Sequence, residues 1–293
     1  MESLEPCPLM THHPDTMEVV RKVFDLDKPE RIEESLKILE EWAKKQTHFK
    51  QKEFSKILLE NLLMKAKGSV EKTKKRLEAM CTFRTMFPHM YCGNLRVNEV
   101  TGIETVLLIY CIFFYLEYIY LFLILQVLDY FVRYDYSTGL VVVVDYLDTD
   151  LAKILSSLAN IYTREGLLII FKAYAMRLKG IHIISKSKLV EACVAAFKHI
   201  LGPNTIDRFT VHKTIESLYD EVDREILPAD YGGEEAPLSE MCKNMLDVIS
   251  SEEAMKILKE MEGATVDFNL KPVQQEYDEY LGISGSFRTL SVD

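Results

Sequence analysis

The segment Leu227-Pro228-Ala229-Asp230-Tyr231-Gly232-Gly233 carries the most specific local signal in this chain. Pro228 fixes one backbone φ angle, whereas Gly232 and Gly233 permit the positive φ angles that other residues avoid. The segment therefore predicts a tight turn at the exit from a preceding helical stretch. Any protein could use such a turn, so its meaning depends on the segments that precede it.

Upstream of this turn, apolar segments with the composition of buried strands occur at 140–146, 180–184 and 208–212. The first is a nearly continuous β-branched run that follows Gly139. Helical patterns separate the segments, at about residues 151–159, 163–176 and 188–201. Because parallel strands need crossover connections of about a dozen residues or more, the alternation predicts βαβ units and a mainly parallel sheet.

The N-terminal third of the chain is helical and rich in charge. Residues 1–22 lack an apolar period, and we interpret them as a mobile leader. Apolar positions then recur at helical spacing over residues 32–42, 54–62 and 77–83. Ser69 is placed to cap the third helix, which is predicted to end before Pro88. Residues 23–95 are therefore expected to form a small helical bundle.

The composition is that of a globular protein with a net charge of −10, from 45 acidic and 35 basic residues. This balance argues against a whole-protein attraction to nucleic acid. The six cysteines include no Cys-x-x-Cys pair, and no apolar N-terminal segment has the form of a signal peptide. We therefore expect reduced thiols in a cytosolic protein.

The turn and the strand segments together resemble the lipid-binding domain of the CRAL-TRIO family. Three segments in this order carry the resemblance: Arg177-Leu178-Lys179-Gly180-Ile181-His182-Ile183-Ile184, Phe209-Thr210-Val211-His212 and the Leu227–Gly233 turn. It extends from about Ile32 to Met241, and residues 285–290 resemble the tail of insect-type members. The family comprises soluble carriers that bury one hydrophobic molecule and deliver it between membranes.

The resemblance implies an α/β fold in which a small N-terminal helical bundle precedes an α/β sandwich, with a mainly parallel sheet flooring an apolar pocket. We assign residues 129–260 to this lipid-binding domain and residues 261–293 to a C-terminal tail. A mobile helix over 188–201 is expected to close the pocket. The residues expected to line the pocket or the lid are Val142, Val144, Ile181, Ile183, Leu189, Cys193, Phe197, Ile200 and Leu201.

A closed apolar cavity would suffice to bind a retinoid, a tocopherol or a similar lipid. Such a ligand gains about 25 cal/mol for each Å² of apolar surface removed from water. Ordinary core packing is the alternative role for the same side chains, and the sequence does not separate the two. We expect a bound hydrophobic ligand and no other cofactor.

The resemblance also implies a basic cleft that binds a phosphoinositide head group. The corresponding positions are Lys67, Arg177, Lys179, Asn204 and Arg208, of which four are basic. Cations that converge from separate elements suit multivalent phosphate binding, although solvated surface charge is the ordinary role of any one of them. We expect a monomer without a nucleic-acid partner, docking transiently on membrane surfaces that contain phosphatidylinositol bisphosphate.

The apolar segment 106–128 departs from the family pattern, in which a linker, a first strand and a helix are expected. Glu117 is its only charged residue, and the segment is long enough to cross a bilayer. We consider three interpretations in this order: aberrant coding sequence, a helix of the pocket or its interface, and a single-pass membrane anchor. Residues 96–128 are therefore kept as an anomalous segment. The alternative function is a membrane-anchored or protein-interaction scaffold with a degenerate lipid pocket.

The motifs of the common enzyme classes are missing from the sequence. Asp145, His182 and Ser185 have the residue types of a triad, but no Gly-x-Ser-x-Gly elbow positions the serine. The chain contains no P-loop, dinucleotide fingerprint or His-Glu-x-x-His motif. Three residues close in sequence form a poor zinc set: Cys81, His89 and Cys92. We expect no catalytic residue and no metal site, and interpret His182 as a structural histidine in a buried strand.

Overall fold

The computed structural model of this chain describes residues 6–10, 13–88, 91, 118–137, 139–174, 178–201 and 207–271. Its helices are α1 (Thr16–Val23), α2 (Pro29–Lys45), α3 (Lys56–Lys65), α4 (Val70–Met86), α5 (Tyr118–Tyr134), α6 (Leu151–Leu158), α7 (Ile161–Leu168), α8 (Val190–Leu201), α9 (Leu238–Ile249) and α10 (Glu252–Glu262). A π-helical turn, Ile169–Ala173, continues α7. The strands are β1 (Leu140–Asp145), β2 (Leu178–Ile184) and β3 (Phe209–His212).

The three strands form one parallel sheet in the order β1-β2-β3. Val144 pairs with Ile183, which in turn pairs with Val211. Helices α6 and α7 lie in the crossover from β1 to β2, and α8 lies in the crossover from β2 to β3. The predicted α/β class, with a helical N-terminal region before a parallel sheet, is confirmed.

The face of the sheet opposite α8 is covered by residues 215–231, which contain short 3₁₀ helices. Ile184 of β2 packs there against Leu218, Val222, Leu227 and Tyr231. Tyr231 Oη also donates a hydrogen bond to Asp145 Oδ2 at the end of β1, at 3.1 Å. The Leu227–Gly233 turn is thereby attached to the sheet.

The two glycines of this turn serve different purposes. Gly232 has a φ of 68°, as the sequence predicts. Gly233 does not take a positive φ, so that part of the prediction is wrong. It is instead needed for close approach, because a Cβ at Gly233 would lie 1.9 Å from the carbonyl oxygen of Leu227.

Helices α2, α3 and α4 pack around one apolar core in the N-terminal region. Its fully buried side chains include Leu39, Leu59, Leu62, Leu63, Leu77 and Met80. Ser69 Oγ accepts a hydrogen bond from the backbone N–H of Lys72, so the predicted cap of α4 is confirmed.

Residues 16–22 differ from the predicted mobile leader, because they belong to α1. Val20 is buried, and Arg21 donates to Glu60 Oε1 at 2.8 Å and to Tyr136 Oη at 2.9 Å. The helix is too short to show a convincing apolar period. Its position depends on partners that lie far away in the sequence, which a local pattern does not reveal.

The chain after α10 returns to the N-terminal region as a segment without helix, residues 264–271, which we call the C-terminal strap. Ala264 and Val266 are buried in the core of the N-terminal helices. The backbone N–H of Lys50 donates to the carbonyl of Thr265 at 2.9 Å, and that of Asp267 donates to the carbonyl of His48 at 2.7 Å. The first part of the predicted tail therefore completes a core, and residues 272–293 lie outside the described residues.

Helix α5 contains the end of the anomalous apolar segment. It packs against α3, α7, α9 and α10, and its buried side chains include Ile124, Leu125 and Leu128. Over these residues the segment is an internal packing helix, the second of the three interpretations. Residues 106–117 lie outside the described part of the chain. None of the described helices combines the length and apolarity needed to cross a membrane.

Candidate functional site

Helix α8 and the sheet enclose a cluster that contains most of the residues predicted for the pocket and lid. Five of them are buried together: Val144, Ile181, Ile183, Cys193 and Phe197. Val142 and Ile200 are partly buried against the same cluster. The structure therefore brings seven of the nine predicted residues together between α8 and the sheet.

The other two predicted residues stand apart. Leu189 precedes the first turn of α8 and is 43% exposed, so it lies at the rim and not inside the cluster. Leu201 is the last residue of α8, and its side chain is outside the described part of the structure.

Helix α8 is closed onto its neighbours in this structure. Cys193 is fully buried, and its Sγ–H donates to the carbonyl oxygen of Leu151, the first residue of α6, at 3.8 Å. Burial raises the pKa of the Cys193 thiol to about 11. Entry of a ligand between α8 and the sheet therefore requires α8 to move.

Two of the predicted phosphoinositide-binding residues lie at the edge of the sheet where β2 and β3 begin. Lys179 is exposed on β2. Arg208 directly precedes β3, and its Nη1 donates to the carbonyl oxygen of Leu178. Because Ile181 pairs with Phe209, the strand register places both cations at the same edge.

Lys198 is a third cation at this edge, which the sequence analysis did not select. Its Nζ lies 5.7 Å from the centroid of the Phe209 ring. The helix between two parallel strands returns to the edge where the next strand begins, and Lys198 lies in the last turn of that helix. This topology is the signal that would have identified it. We call Lys179, Lys198 and Arg208 the basic edge.

No described contact places the remaining residues predicted for the cleft beside the basic edge. Lys67 lies in the turn between α3 and α4, where it has a left-handed backbone with a φ of 56°. Arg177 and Asn204 lie outside the described residues.

The residues of the hypothetical triad have separate hydrogen-bond partners. Asp145 accepts from Tyr231 Oη, whereas His182 Nδ1 contacts His212 Nε2. Ser185 Oγ accepts from the backbone N–H of Ser187 at 3.2 Å. In the described residues, no group of three or more His, Cys, Asp or Glu side chains could hold a metal ion. His89 and Cys92 lie outside the described residues.

A buried polar network joins the N-terminal helices to the sheet domain. Arg84 of α4 donates through Nη2 to Asp129 Oδ1 of α5, and Tyr174 Oη donates to the same oxygen. The Arg84 guanidinium also lies 4.4 Å from the ring centroid of Tyr91. Burial disfavours the charged form of Arg84, but the Asp129 carboxylate outweighs it and raises the pKa of Arg84 above its ordinary value.

Comparison with known proteins gives two matching families. Residues 114–233 match the CRAL/TRIO domain, and residues 28–94 match the Pinta-like, UBA domain. An alpha-tocopherol transfer protein-like protein of Mus musculus is 27% identical over 119 residues, which cover 40% of this chain and 34% of that protein. The proteins of the same name from Pongo abelii and Homo sapiens are 25% identical over the same lengths. The matched segment thus spans about a third of these relatives.

The boundaries of these matches bear on the sequence interpretation. The N-terminal match covers α2, α3 and α4, and the second match ends at Gly233, the last residue of the turn. The second match begins at residue 114, so it includes residues 114–128 in the domain and speaks against aberrant coding sequence at those positions. The resemblance drawn from the strands and the turn is confirmed, since residues 114–233 match the CRAL/TRIO domain.

Proposed function

We propose that this protein binds one small hydrophobic molecule beneath α8 and carries it between membranes, without covalent chemistry. The apolar cluster between α8 and the sheet, which contains seven of the nine predicted residues, is the observation that supports this most directly. It lies in a domain whose matched relatives are named for similarity to a tocopherol transfer protein. Displacement of α8 would expose the apolar face that a lipid needs.

The proposal is tested by identifying the molecule that the protein holds. The purified full chain is incubated with vesicles that contain a mixture of retinoids, tocopherols, carotenoids and phospholipids. After re-isolation, it is analysed by native mass spectrometry and organic extraction. A stoichiometric apolar molecule is the expected result. Protein that stays empty would contradict the carrier function and favour a scaffold with a degenerate pocket.

Movement of α8 predicts that membranes make Cys193 reactive. Burial raises the pKa of Cys193 to about 11 and that of Cys81 to about 12. Exposure to water would return the Cys193 thiol to a pKa of about 8.5, which raises its thiolate fraction at neutral pH by roughly 300-fold. We expect lipid vesicles to accelerate maleimide labelling of Cys193, measured by peptide mass spectrometry.

Cys81 serves as the internal control for this experiment, because it is fully buried in the N-terminal core, away from α8. Its labelling rate should not change on addition of vesicles. Equal acceleration of both thiols would indicate general unfolding, and no acceleration of Cys193 would contradict the opening of α8.

We further propose that the basic edge binds the phosphorylated head group of a phosphoinositide. Three cations from β2, α8 and the start of β3 lie at one edge of a chain whose net charge is −10. Arg208 is held in place by its bond to the carbonyl of Leu178. A charged group that is fixed in this way loses less side-chain freedom when it binds phosphate.

The variant Lys179→Glu/Arg208→Gln is expected to weaken binding to vesicles that contain phosphatidylinositol bisphosphate. It lowers the net charge of the basic edge by three, and each cation near an anionic membrane is worth about 1 kcal/mol, so the expected loss is on the order of a hundredfold. Glutamine at position 208 retains an N–H donor for Leu178. Vesicle co-sedimentation measures the affinity.

The matched control is Lys186→Glu/Lys213→Gln, which changes the charge equally at the opposite ends of β2 and β3, where both lysines are exposed. It should bind the vesicles nearly as well as the wild type. An equal loss in both variants would indicate diffuse attraction, and unchanged binding of the first variant would refute the head-group site.

A further inference from the structure

A chain of hydrogen bonds joins β2 and β3 to the segment that covers the far face of the sheet. His182 and His212 are both buried, with His182 Nδ1 3.0 Å from His212 Nε2. His212 Nδ1 lies 3.4 Å from Ser217 Oγ in the covering segment. The two rings are tilted against each other, with 5.2 Å between their centroids and 32° between their planes. The apolar cluster under α8 and the basic edge do not include His182, His212 or Ser217.

The bond at the end of this chain fixes the direction of the others. Ser217 Oγ–H donates to the carbonyl oxygen of Thr214 at 2.7 Å, and a carbonyl can only accept. Ser217 Oγ is then left to accept from His212 Nδ1–H. His212 Nε2 must accordingly accept from His182 Nδ1–H. In this pattern the His212 proton is on Nδ1, His182 donates from Nδ1, and none of the described hydrogen bonds uses His182 Nε2.

The surroundings of the pair disfavour a positive charge. Burial lowers the pKa of His182, and the neighbouring His212 lowers it further, whereas Glu221 acts in the opposite direction. His182 Nε2 lies against Gly180, where an added Cβ would be 2.9 Å from it. The residues that face or pair with His182 from the neighbouring elements are Val143 of β1, Thr210 of β3 and Glu221 of the covering segment.

We propose that the His182–His212–Ser217 chain is a proton-sensitive lock that holds residues 213–233 on the sheet. A proton taken up at His182 Nε2 creates a cation in a buried site. The nearest ionisable ring, that of His212, already uses its Nε2 to accept a hydrogen bond from His182. The folded state therefore binds this proton less readily than the open state, in which the histidine has its ordinary pKa of about 6.5. The lock is complete above about pH 6.5 and weakens progressively as the pH falls below that value.

Amide hydrogen exchange tests the lock directly in the full chain. With exchange corrected for its intrinsic dependence on pH, protection of residues 213–233 is expected to fall between pH 6.5 and pH 5 by up to about tenfold per pH unit, the limit for one linked proton. Protection of α6 and α8 should change much less. His182→Asn keeps an N–H donor near the position of Nδ1 but removes the base, so it should flatten the pH dependence. His199→Asn, at an exposed histidine of α8, is the matched control and should retain it.

A pH dependence that persists in His182→Asn, or that is spread evenly over the chain, would overturn the proposal. A second measurement does not depend on how the variant folds. Nitrogen-15 NMR of the wild-type histidine rings should show His182 and His212 as neutral Nδ1–H tautomers at pH 7.5. An Nε2–H tautomer of His182, or its titration at the ordinary pKa of an exposed histidine, would contradict the lock.

Discussion

Replacement of Arg84 by methionine is expected to destabilise the protein by about 3–5 kcal/mol. Among the described residues, the substitution leaves the buried Asp129 carboxylate with the Tyr174 hydroxyl as its remaining side-chain partner. Removal of one partner from a buried ion pair is costly because the other charge stays dehydrated. The free energy of unfolding, measured by denaturant titration at neutral pH, reports the loss.

Two variants separate this effect from the loss of packing. Arg84→Met/Asp129→Leu removes both charges and should recover most of the stability, since well-packed apolar residues often replace a buried pair without loss. Lys74→Met breaks the exposed pair with Glu71 on the same helix and should change the stability by less than about 1 kcal/mol. A loss in the double variant as large as that in Arg84→Met would mean that packing, and not the unpaired carboxylate, determines the result.

Replacement of Gly233 by alanine is expected to destabilise the protein by roughly 3 kcal/mol or more. The added Cβ would lie 1.9 Å from the carbonyl oxygen of Leu227, and that oxygen already accepts from the backbone N–H of Glu235 at 3.0 Å. The backbone N–H of Gly233 is also fixed, by its bond to the carbonyl of Pro228 at 3.1 Å. Both sides of the clash are backbone, so neither relaxes cheaply.

For a chain of this size such a loss lowers the melting temperature by about 5 °C, which thermal unfolding detects easily. Gly263→Ala is the control, because its Cβ would meet only the end of the flexible Gln51 side chain, at 2.8 Å. It should melt within about 1–2 °C of the wild type. A similar melting temperature for both variants would show that the turn can rearrange.

The sheet was predictable because a short stretch of sequence marks each of its strands. The β-branched run at 140–144 marks a buried strand, and the helical intervals before the next two strands require parallel pairing. The grouping of the apolar residues under α8 was expected from the family resemblance. The register of β2 against β3, and hence the shared edge of Lys179 and Arg208, also depends on these segments alone.

The contacts that join distant parts of the chain were not predictable in this way. Arg84 and Asp129 belong to separate helical patterns, and neither pattern indicates that the two residues meet. Asp129 directly follows a long apolar segment, and in the sequence it looks like the polar residue that merely ends that segment. Helix α1 and the C-terminal strap depend on a few buried side chains each, Val20 in one and Val266 in the other, too few to produce a period.

The C-terminal strap also constrains how the protein forms as it is made. The core of the N-terminal helices contains Ala264 and Val266, which emerge from the ribosome about 180 residues after α4. At a synthesis rate of roughly 5–20 residues per second, about 10–30 s pass before Ala264 and Val266 are available to complete this core. During that interval Phe49 and the neighbouring apolar surface lack their final cover. The nascent chain therefore exposes this apolar surface until residues 264–266 have been made.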